Sequence, residues 1–173
     1  MYIMEAVIDY ETLKGAHGED VVKELSIAAG NVLETFRFLP PYDMDEHGYE
    51  ANDLNWNNSI IQYAKLYRTV NEAAANFAHL YAKGTAKTRF LSGLLRRAVF
   101  NLDAFACPER KSFRMGTVCS MPCHRFSDKS CATRNAHALY EWLTFRLKGK
   151  SFVKCPKDNS RHTAAFNSGI RFP

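Results

Sequence analysis

The sequence predicts one α/β domain of five strands and three helices over residues 1–149, followed by a basic tail at 150–173. The length of 173 residues suits a single domain with a core of its own. Hydrophobic residues make up 46% and charged residues 24% of the chain, which is typical of a globular protein. Short apolar runs that end at turn-forming residues alternate with segments of helical periodicity, and this alternation indicates both strands and helices.

Three strands are predicted before the first helix. Residues 2–9 (YIMEAVID) form a short apolar run that ends at an acidic residue, which is typical of a strand. Residues 21–28 and 31–39 flank Gly30, and this arrangement predicts a hairpin with an Ala-Gly-Asn turn. Two consecutive prolines then end the third strand, because proline cannot donate to the hydrogen-bond ladder.

Helices and strands alternate after a polar surface loop at 42–59. Apolar residues at helical spacing predict a helix over about 61–76, and the run 77–82 (FAHLYA) predicts the fourth strand. A second helix is predicted over 85–97, where large apolar residues share one face. The run 98–105 (AVFNLDAF) is the fifth strand.

The last helix has the clearest pattern in the chain. Its apolar residues lie close to one stripe over residues 131–148, and Gly149 follows as a cap. The preceding residues 107–130 contain too many Cys, Pro, Gly and Ser residues for regular structure. A loop of that length inside a compact domain needs an internal tie, and a bound metal ion is one such tie.

The composition argues against a membrane protein. No apolar run approaches the roughly 20 residues needed to span a bilayer, and no basic segment followed by an apolar stretch opens the chain. We therefore expect a soluble intracellular protein, cytoplasmic or nuclear. The five cysteines are an odd number, and without a secretory signal they favour metal binding or free thiols over disulfides.

Charge is distributed unevenly along the chain. Residues 1–86 carry a net charge of −7 and residues 87–173 a net charge of +12. Such asymmetry often marks a surface for a polyanion, although a basic solvated face without a partner is the alternative. Basic side chains interleaved with aromatic residues are the candidates for binding single-stranded RNA or DNA: Lys83, Lys87, Arg89, Arg96, Arg97, Arg125 and Arg134.

A pair of carboxylates follows the first apolar run. Asp9 and Glu11 are two positions apart, so on an extended chain they face the same side and can share a divalent metal ion. Nucleases that use two Mg²⁺ or Mn²⁺ ions need such a cluster, because the ions stabilise the attacking and leaving oxygens. The alternative is that the spacing arises by chance.

Cysteine and histidine cluster before the last helix. Cys119, Cys123, His124 and Cys131 lie within thirteen residues. Thiolate and imidazole are preferred zinc ligands, and a structural zinc site takes four ligands in a tetrahedron. The cluster therefore predicts structural zinc, with buried free thiols and a surface histidine as the alternative.

The order of elements and the segment IDYET resemble the DEDD exonucleases of the DnaQ-like group, which have a ribonuclease H-like fold with a mixed five-stranded sheet flanked by helices. The closer resemblance, over about residues 3–147, is to members with a Glu-Cys-His-Cys zinc site: the Maelstrom domain of piRNA-pathway proteins and the exonuclease domain of arenavirus nucleoproteins. This resemblance implies zinc ligands at Glu24, Cys119, His124 and Cys131. Because Cys119 precedes His124 by five positions rather than three, Cys123 is the alternate to Cys119.

The resemblance also implies that the catalytic centre is eroded. The aspartate of the second motif aligns with Lys87, and the histidine and aspartate of the third motif align with Ser130 and Asn135. A lysine at the place of a Mg²⁺ ligand repels the ion, and the lost imidazole is the usual base for activating water. The first-motif carboxylates remain, with Asp103 on the fifth strand as a substitute for a missing ligand.

Three functions follow from these expectations. The first is a zinc-stabilised, nuclease-derived domain that binds single-stranded nucleic acid, RNA favoured, in the setting of small-RNA or transposon control that the Maelstrom resemblance implies. The second is an active Mg²⁺- or Mn²⁺-dependent 3′-5′ exonuclease or ribonuclease that uses Asp9, Glu11 and Asp103. The third is an adaptor that docks a protein partner.

Overall fold

The computed structural model describes residues 4–15, 17–41, 59–109, 112–113 and 131–149. Its elements follow the predicted order: β1 (Glu5–Lys14), β2 (Asp20–Ala29), β3 (Val32–Arg37), α1 (Leu66–Ala74), β4 (His79–Ala82), α2 (Thr85–Leu95), β5 (Val99–Asn101) and α3 (Ala132–Leu147). Single turns of 3-10 helix precede α1 and follow β5. The predicted tail and most of the predicted loops at 42–59 and 107–130 lie outside the described residues.

The five strands form one sheet in the order β3-β2-β1-β4-β5. The first three strands make an antiparallel meander, whereas β4 pairs parallel to β1 and β5 pairs parallel to β4. Only β2 therefore runs against the other four. The prediction of one α/β domain with a mixed five-stranded sheet flanked by helices is confirmed.

Helices cover both faces of the sheet, and alternate residues of β1 point to opposite faces. Ile8 belongs to a core that includes Val70 of α1 and Leu91 of α2. Val7 points the other way, into a second core with Trp142 of α3. We call the second side the α3 face; it carries the side chains of interest.

The first strand is longer than predicted. It continues five residues beyond Asp9, to Lys14, because β2 offers a partner along that whole length. The pairing shifts by one residue between Glu11 and Thr12, which is a β-bulge. The paired carboxylates therefore lie in the interior of a strand rather than at its end.

The fifth strand is shorter than predicted and ends at Asn101. The Asn101 side chain accepts a hydrogen bond of 3.0 Å from the backbone N–H of Asp103, which turns the chain out of the sheet into a 3-10 turn. Asp103 thus lies on that turn and not on the strand. The first helix starts later than predicted because Ile61 hydrogen-bonds to Arg37 and Leu39 beside β3.

Two predicted chain reversals at glycine residues are confirmed. Gly30 has φ of +57° between β2 and β3, a conformation that favours glycine, and the predicted hairpin is confirmed. Gly149 has φ of +69° and its N–H bonds to the Arg146 carbonyl, so it ends α3 as predicted. Among the described residues, no helix is long and apolar enough to cross a membrane.

Candidate functional site

The two carboxylates of β1 share the α3 face, as their spacing predicts. Asp9 is 2% exposed, and Glu11 lies two residues further along the strand. The side chain of a third residue reaches both of them. The Lys87 ammonium nitrogen lies 2.6 Å from Asp9 Oδ1 and 3.6 Å from Glu11 Oε1, and it donates to the Tyr10 carbonyl as well.

Lys87 reaches this position because of how α2 begins. The helix starts after Gly84, whose φ of +91° would strain any residue with a side chain. The Gly84 N–H donates to the Asn101 side chain at 3.1 Å, which fixes the turn between β4 and α2. Lys87 then lies in the first turn of α2 and also stands 5.0 Å from the centre of the Tyr10 ring.

Asn135 approaches the carboxylates from α3. Its Nδ2 donates to Glu11 Oε1 at 3.0 Å, and the residue is 2% exposed. This contact fixes the orientation of the amide, because the opposite orientation would set its oxygen against a carboxylate. Asn135 Oδ1 is then a buried acceptor with no hydrogen-bond partner among the described residues.

These side chains border a pocket of about 210 Å³. Its polar wall and its apolar wall together comprise Asp9, Lys83, Lys87, Phe113, Asn135, Ala138 and Leu139. Among the described residues in and beside the pocket, three carboxylates face two ammonium groups, which leaves a net charge of −1. The described part of the pocket is therefore not a basic cleft for phosphate.

Asp103, the expected substitute ligand, has a different partner. Its Oδ1 lies 2.5 Å from the Lys83 ammonium, which also donates to the Cys107 carbonyl at 3.1 Å. Among the residues that the structure describes, no three His, Cys, Asp or Glu side chains come together in a group suited to a metal ion. Burial raises the pKa of the Cys107 thiol to about 11, with Lys83 opposing the shift, so this thiol is protonated at neutral pH.

Two of the expected zinc ligands meet at the start of α3. Glu24 is 1% exposed, and its Oε1 accepts a hydrogen bond of 3.1 Å from the backbone N–H of Ala132. Cys131, fully buried, is the N-cap, and its Sγ accepts from the Arg134 N–H at 3.4 Å. Carboxylate oxygen and cysteine sulfur are both zinc ligands, so the two residues fit a zinc site by donor type. The other candidates, Cys119, Cys123 and His124, lie outside the described residues.

Arg37 is a partner of Glu24 that sequence reasoning missed. Its Nε lies 3.2 Å from Glu24 Oε2, and the two residues are directly opposite one another on β2 and β3. The signal was available, since a hairpin that turns at Gly30 pairs Ala29 with Val32 and, counting back, places these two residues in register.

The expected nucleic-acid-binding side chains divide into two groups. Lys83 and Lys87 are held by carboxylates. The Arg97 guanidinium donates to the carbonyl of Ala74, the last residue of α1, and to that of Phe77. Arg89 and Arg96 are exposed, and Arg96 stands 5.6 Å from the centre of the Tyr67 ring.

The remaining two expected contacts are Arg134 and Arg125. Arg134 is partly buried in the first turn of α3, and Arg125 lies outside the described residues. Of the net charge of +12 in the second half of the chain, +8 belongs to residues 110–111, 114–130 and 150–173. Most of the basic excess therefore lies outside the described residues too.

Comparisons of the chain with models of protein families, with curated proteins and with solved structures find no match.

Proposed function

We propose that the chain is a ribonuclease H-like, nuclease-derived domain that binds single-stranded nucleic acid without cleaving it, with RNA as the favoured ligand. One observation carries the loss of cleavage: the Lys87 ammonium stands against both Asp9 and Glu11. The mixed sheet with α3 across one face is the architecture that the DnaQ-like resemblance implies. The setting that the Maelstrom resemblance implies is small-RNA or transposon control.

Lys87 opposes catalysis by metal ions in two ways. It supplies the positive charge that the carboxylates would otherwise take from Mg²⁺ or Mn²⁺, and it occupies the space between their oxygens. Two unit charges 4 Å apart repel by about 4 kcal/mol at an effective dielectric constant of 20, and a divalent ion doubles this repulsion. A two-metal mechanism needs both ions in place, so the repulsion acts on the chemical step itself.

Phosphate contacts are assigned to basic side chains away from the pocket. Arg89 and Arg96 are exposed, and Tyr67, which is 47% exposed, offers a ring beside Arg96 on which a base can stack. The basic excess of the segments at 110–111, 114–130 and 150–173 adds to this attraction. The described part of the pocket has a slight excess of carboxylates and is left out of the phosphate path.

Zinc has a structural role in this proposal. Glu24 and Cys131 would be two ligands, and His124 with Cys119 or Cys123 would complete the four. The ion would tie the segment before α3 to the sheet. Contacts from Arg37 and from the Ala132 N–H hold the Glu24 carboxylate at the start of α3.

A binding and cleavage assay on one labelled single-stranded RNA tests the proposal. We expect binding that weakens as salt rises, and intact RNA after incubation with Mg²⁺ or Mn²⁺. The double variant R89A/R96A should bind more weakly and with a shallower salt dependence, whereas Lys14→Ala, which removes an exposed lysine at the end of β1, serves as the matched control.

Either of two outcomes would contradict the proposal and favour another function. Metal-dependent cleavage that disappears in Asp9→Ala would establish an active nuclease. Absence of both binding and cleavage would leave the adaptor function.

A further inference from the structure

A second acidic position lies on the α3 face, at the beginning of β1. Glu5 is the Cα partner of His79 on β4, and its side chain is 24% exposed. The Tyr81 hydroxyl donates to Glu5 Oε1 at 3.4 Å, and His79 Nδ1 lies 3.8 Å from the same oxygen. This position is separate from the pocket at Asp9, four residues further along the strand.

Aromatic rings lie beyond Glu5 on β4, on β5 and on the turn after β5. Phe100 of β5 stands 5.8 Å from the His79 ring and 5.5 Å from the Tyr81 ring, centre to centre. Phe105, on the turn after β5, lies 6.0 Å from the Tyr81 ring. The planes of His79 and Phe100 meet at 77°, so the rings form a corner rather than a flat stack. We call the four rings and Glu5 the aromatic corner.

Three of the four rings of the aromatic corner are accessible to solvent, whereas Tyr81 is buried. Phe100 is 41% exposed and Phe105 is 42% exposed. The helix on this face makes its main contacts with β1, β2 and β3, whereas the corner lies on β4, β5 and the first residue of β1. Exposed rings clustered at one place on a domain usually mark a surface that binds something.

The chemistry of the corner selects a cation. The faces of aromatic rings attract ammonium and guanidinium groups, and a carboxylate beside them adds a full negative charge. A phosphate would be repelled by Glu5. A purely apolar partner would cover this carboxylate without compensating its charge, which costs free energy.

We propose that the aromatic corner binds a lysine or arginine side chain of a basic peptide segment in a partner protein. The cation stands against Glu5 and the faces of His79 and Phe100, and the aliphatic part of the side chain packs on Phe105. The proposal concerns a surface that the nucleic-acid function does not use, so each can fail without the other.

Nuclear magnetic resonance titration of the full chain with short capped peptides tests this proposal. The probes are Gly-Arg-Gly, Gly-Lys-Gly and Gly-citrulline-Gly, the last with a neutral side chain of nearly the same shape as arginine. We expect the two cationic peptides to shift the signals of His79, Tyr81 and Phe100, and the citrulline peptide to leave them unchanged. Equal binding of the citrulline peptide, or no binding by any of the three, would overturn the proposal.

Two substitutions assign the binding to the corner. Phe100→Leu keeps an apolar side chain without a ring, and Glu5→Gln removes the charge at the same size. Phe100→Leu should weaken peptide binding roughly 2- to 30-fold, the range expected for one cation–π contact, and Glu5→Gln about 1.5- to 5-fold, the range of a partly exposed ion pair. Phe145→Leu, an exposed ring on α3, is the matched control and should bind as the wild type does. Unchanged affinity in both corner variants would place the peptide elsewhere.

Sedimentation measurements at increasing protein concentration identify the occupant. We expect the wild-type chain to show no self-association that depends on Glu5. If Glu5→Gln abolished a measurable dimer, the occupant would be a second copy of this chain, and the assignment to a partner protein would be wrong.

Discussion

The carboxylates in two regions of β1 have different surroundings. Near the middle of β1, Asp9 and Glu11 receive a cation from within the chain, the Lys87 ammonium. At its beginning, Glu5 is bordered by His79 and aromatic rings instead. The comparison teaches that the position of one lysine on a helix decides whether an acidic position is neutralised within the domain or left for a ligand.

The largest expected effect comes from removing the internal cation. Lys87→Met keeps the length of the side chain but leaves Asp9, whose side chain is 3% exposed, beside Glu11 without that charge. Breaking a buried pair costs 3–5 kcal/mol, and because Lys87 is 25% exposed we expect a loss of about 2–3 kcal/mol in the free energy of unfolding. Urea denaturation measures this loss.

Lys14→Met is the matched control, since its pair with Asp20 is more than half exposed on both sides. It should cost less than about 1 kcal/mol. Equal losses in the two variants would mean that the Lys87 contacts contribute no more than a surface pair.

A second test compares the acids themselves. Asp9→Asn removes the charge that holds Lys87, and we expect a loss of about 1.5–3 kcal/mol, as for hydrogen bonds to charged groups. Glu5→Gln removes a charge that no ammonium or guanidinium approaches among the described contacts. It should lower the free energy of unfolding by only about 0.5 kcal/mol. The comparison breaks if the two substitutions destabilise the domain equally in urea.

A third test asks whether a metal ion can replace the lysine. In Lys87→Ala the ammonium no longer stands against Asp9 and Glu11, and Mn²⁺ at ten times its dissociation constant should stabilise the variant by about 1.4 kcal/mol. The wild-type protein should show no such shift in its thermal midpoint. Stabilisation of both proteins to the same extent would place the Mn²⁺ site elsewhere.

A fourth test concerns pH. Cys107 is buried beside the turn that carries Asp103, and burial raises the pKa of its thiol from 9.0 to about 11. The unfolded chain releases this proton first, so the contribution of the neutral thiol is complete below pH 9 and falls as pH rises towards 11. The stability difference between wild type and Cys107→Ala should therefore shrink over that interval. A difference that stays constant from pH 8 to pH 11 would contradict the raised pKa.

Local patterns predicted the kinds of element but not all of their ends. Gly30 and the apolar stripe of α3 are signals within a few residues, and both were interpreted correctly. The end of β1 depends on how far β2 accompanies it, and the start of α1 depends on the pairing of Ile61 beside β3. Hydrophobic periodicity contains no information about such pairing, whether the partner is six residues away, as Asp20 is from Lys14, or 24, as Arg37 is from Ile61.

The site was predicted in part for the same reason. Strand alternation was enough to place Asp9 and Glu11 on one side, whereas the approach of Lys87 was expected only from the resemblance to the exonucleases. The aromatic corner was not predicted at all. It arises from the parallel register that sets Glu5 beside His79, 74 positions away, and no local signal encodes that register.

This parallel register also has a kinetic consequence. The meander of the first three strands closes through short connections. Pairing of β1 with β4, by contrast, requires closure of the long loop of chain between them. Lys87 follows β4, so we expect its ammonium to reach Asp9 only once that pairing has formed. A contact made so late is absent from an early folding nucleus. Loss of the lysine should therefore accelerate unfolding while leaving the rate of refolding almost unchanged. The contact should thus lengthen the lifetime of the native state more than it affects the rate of folding.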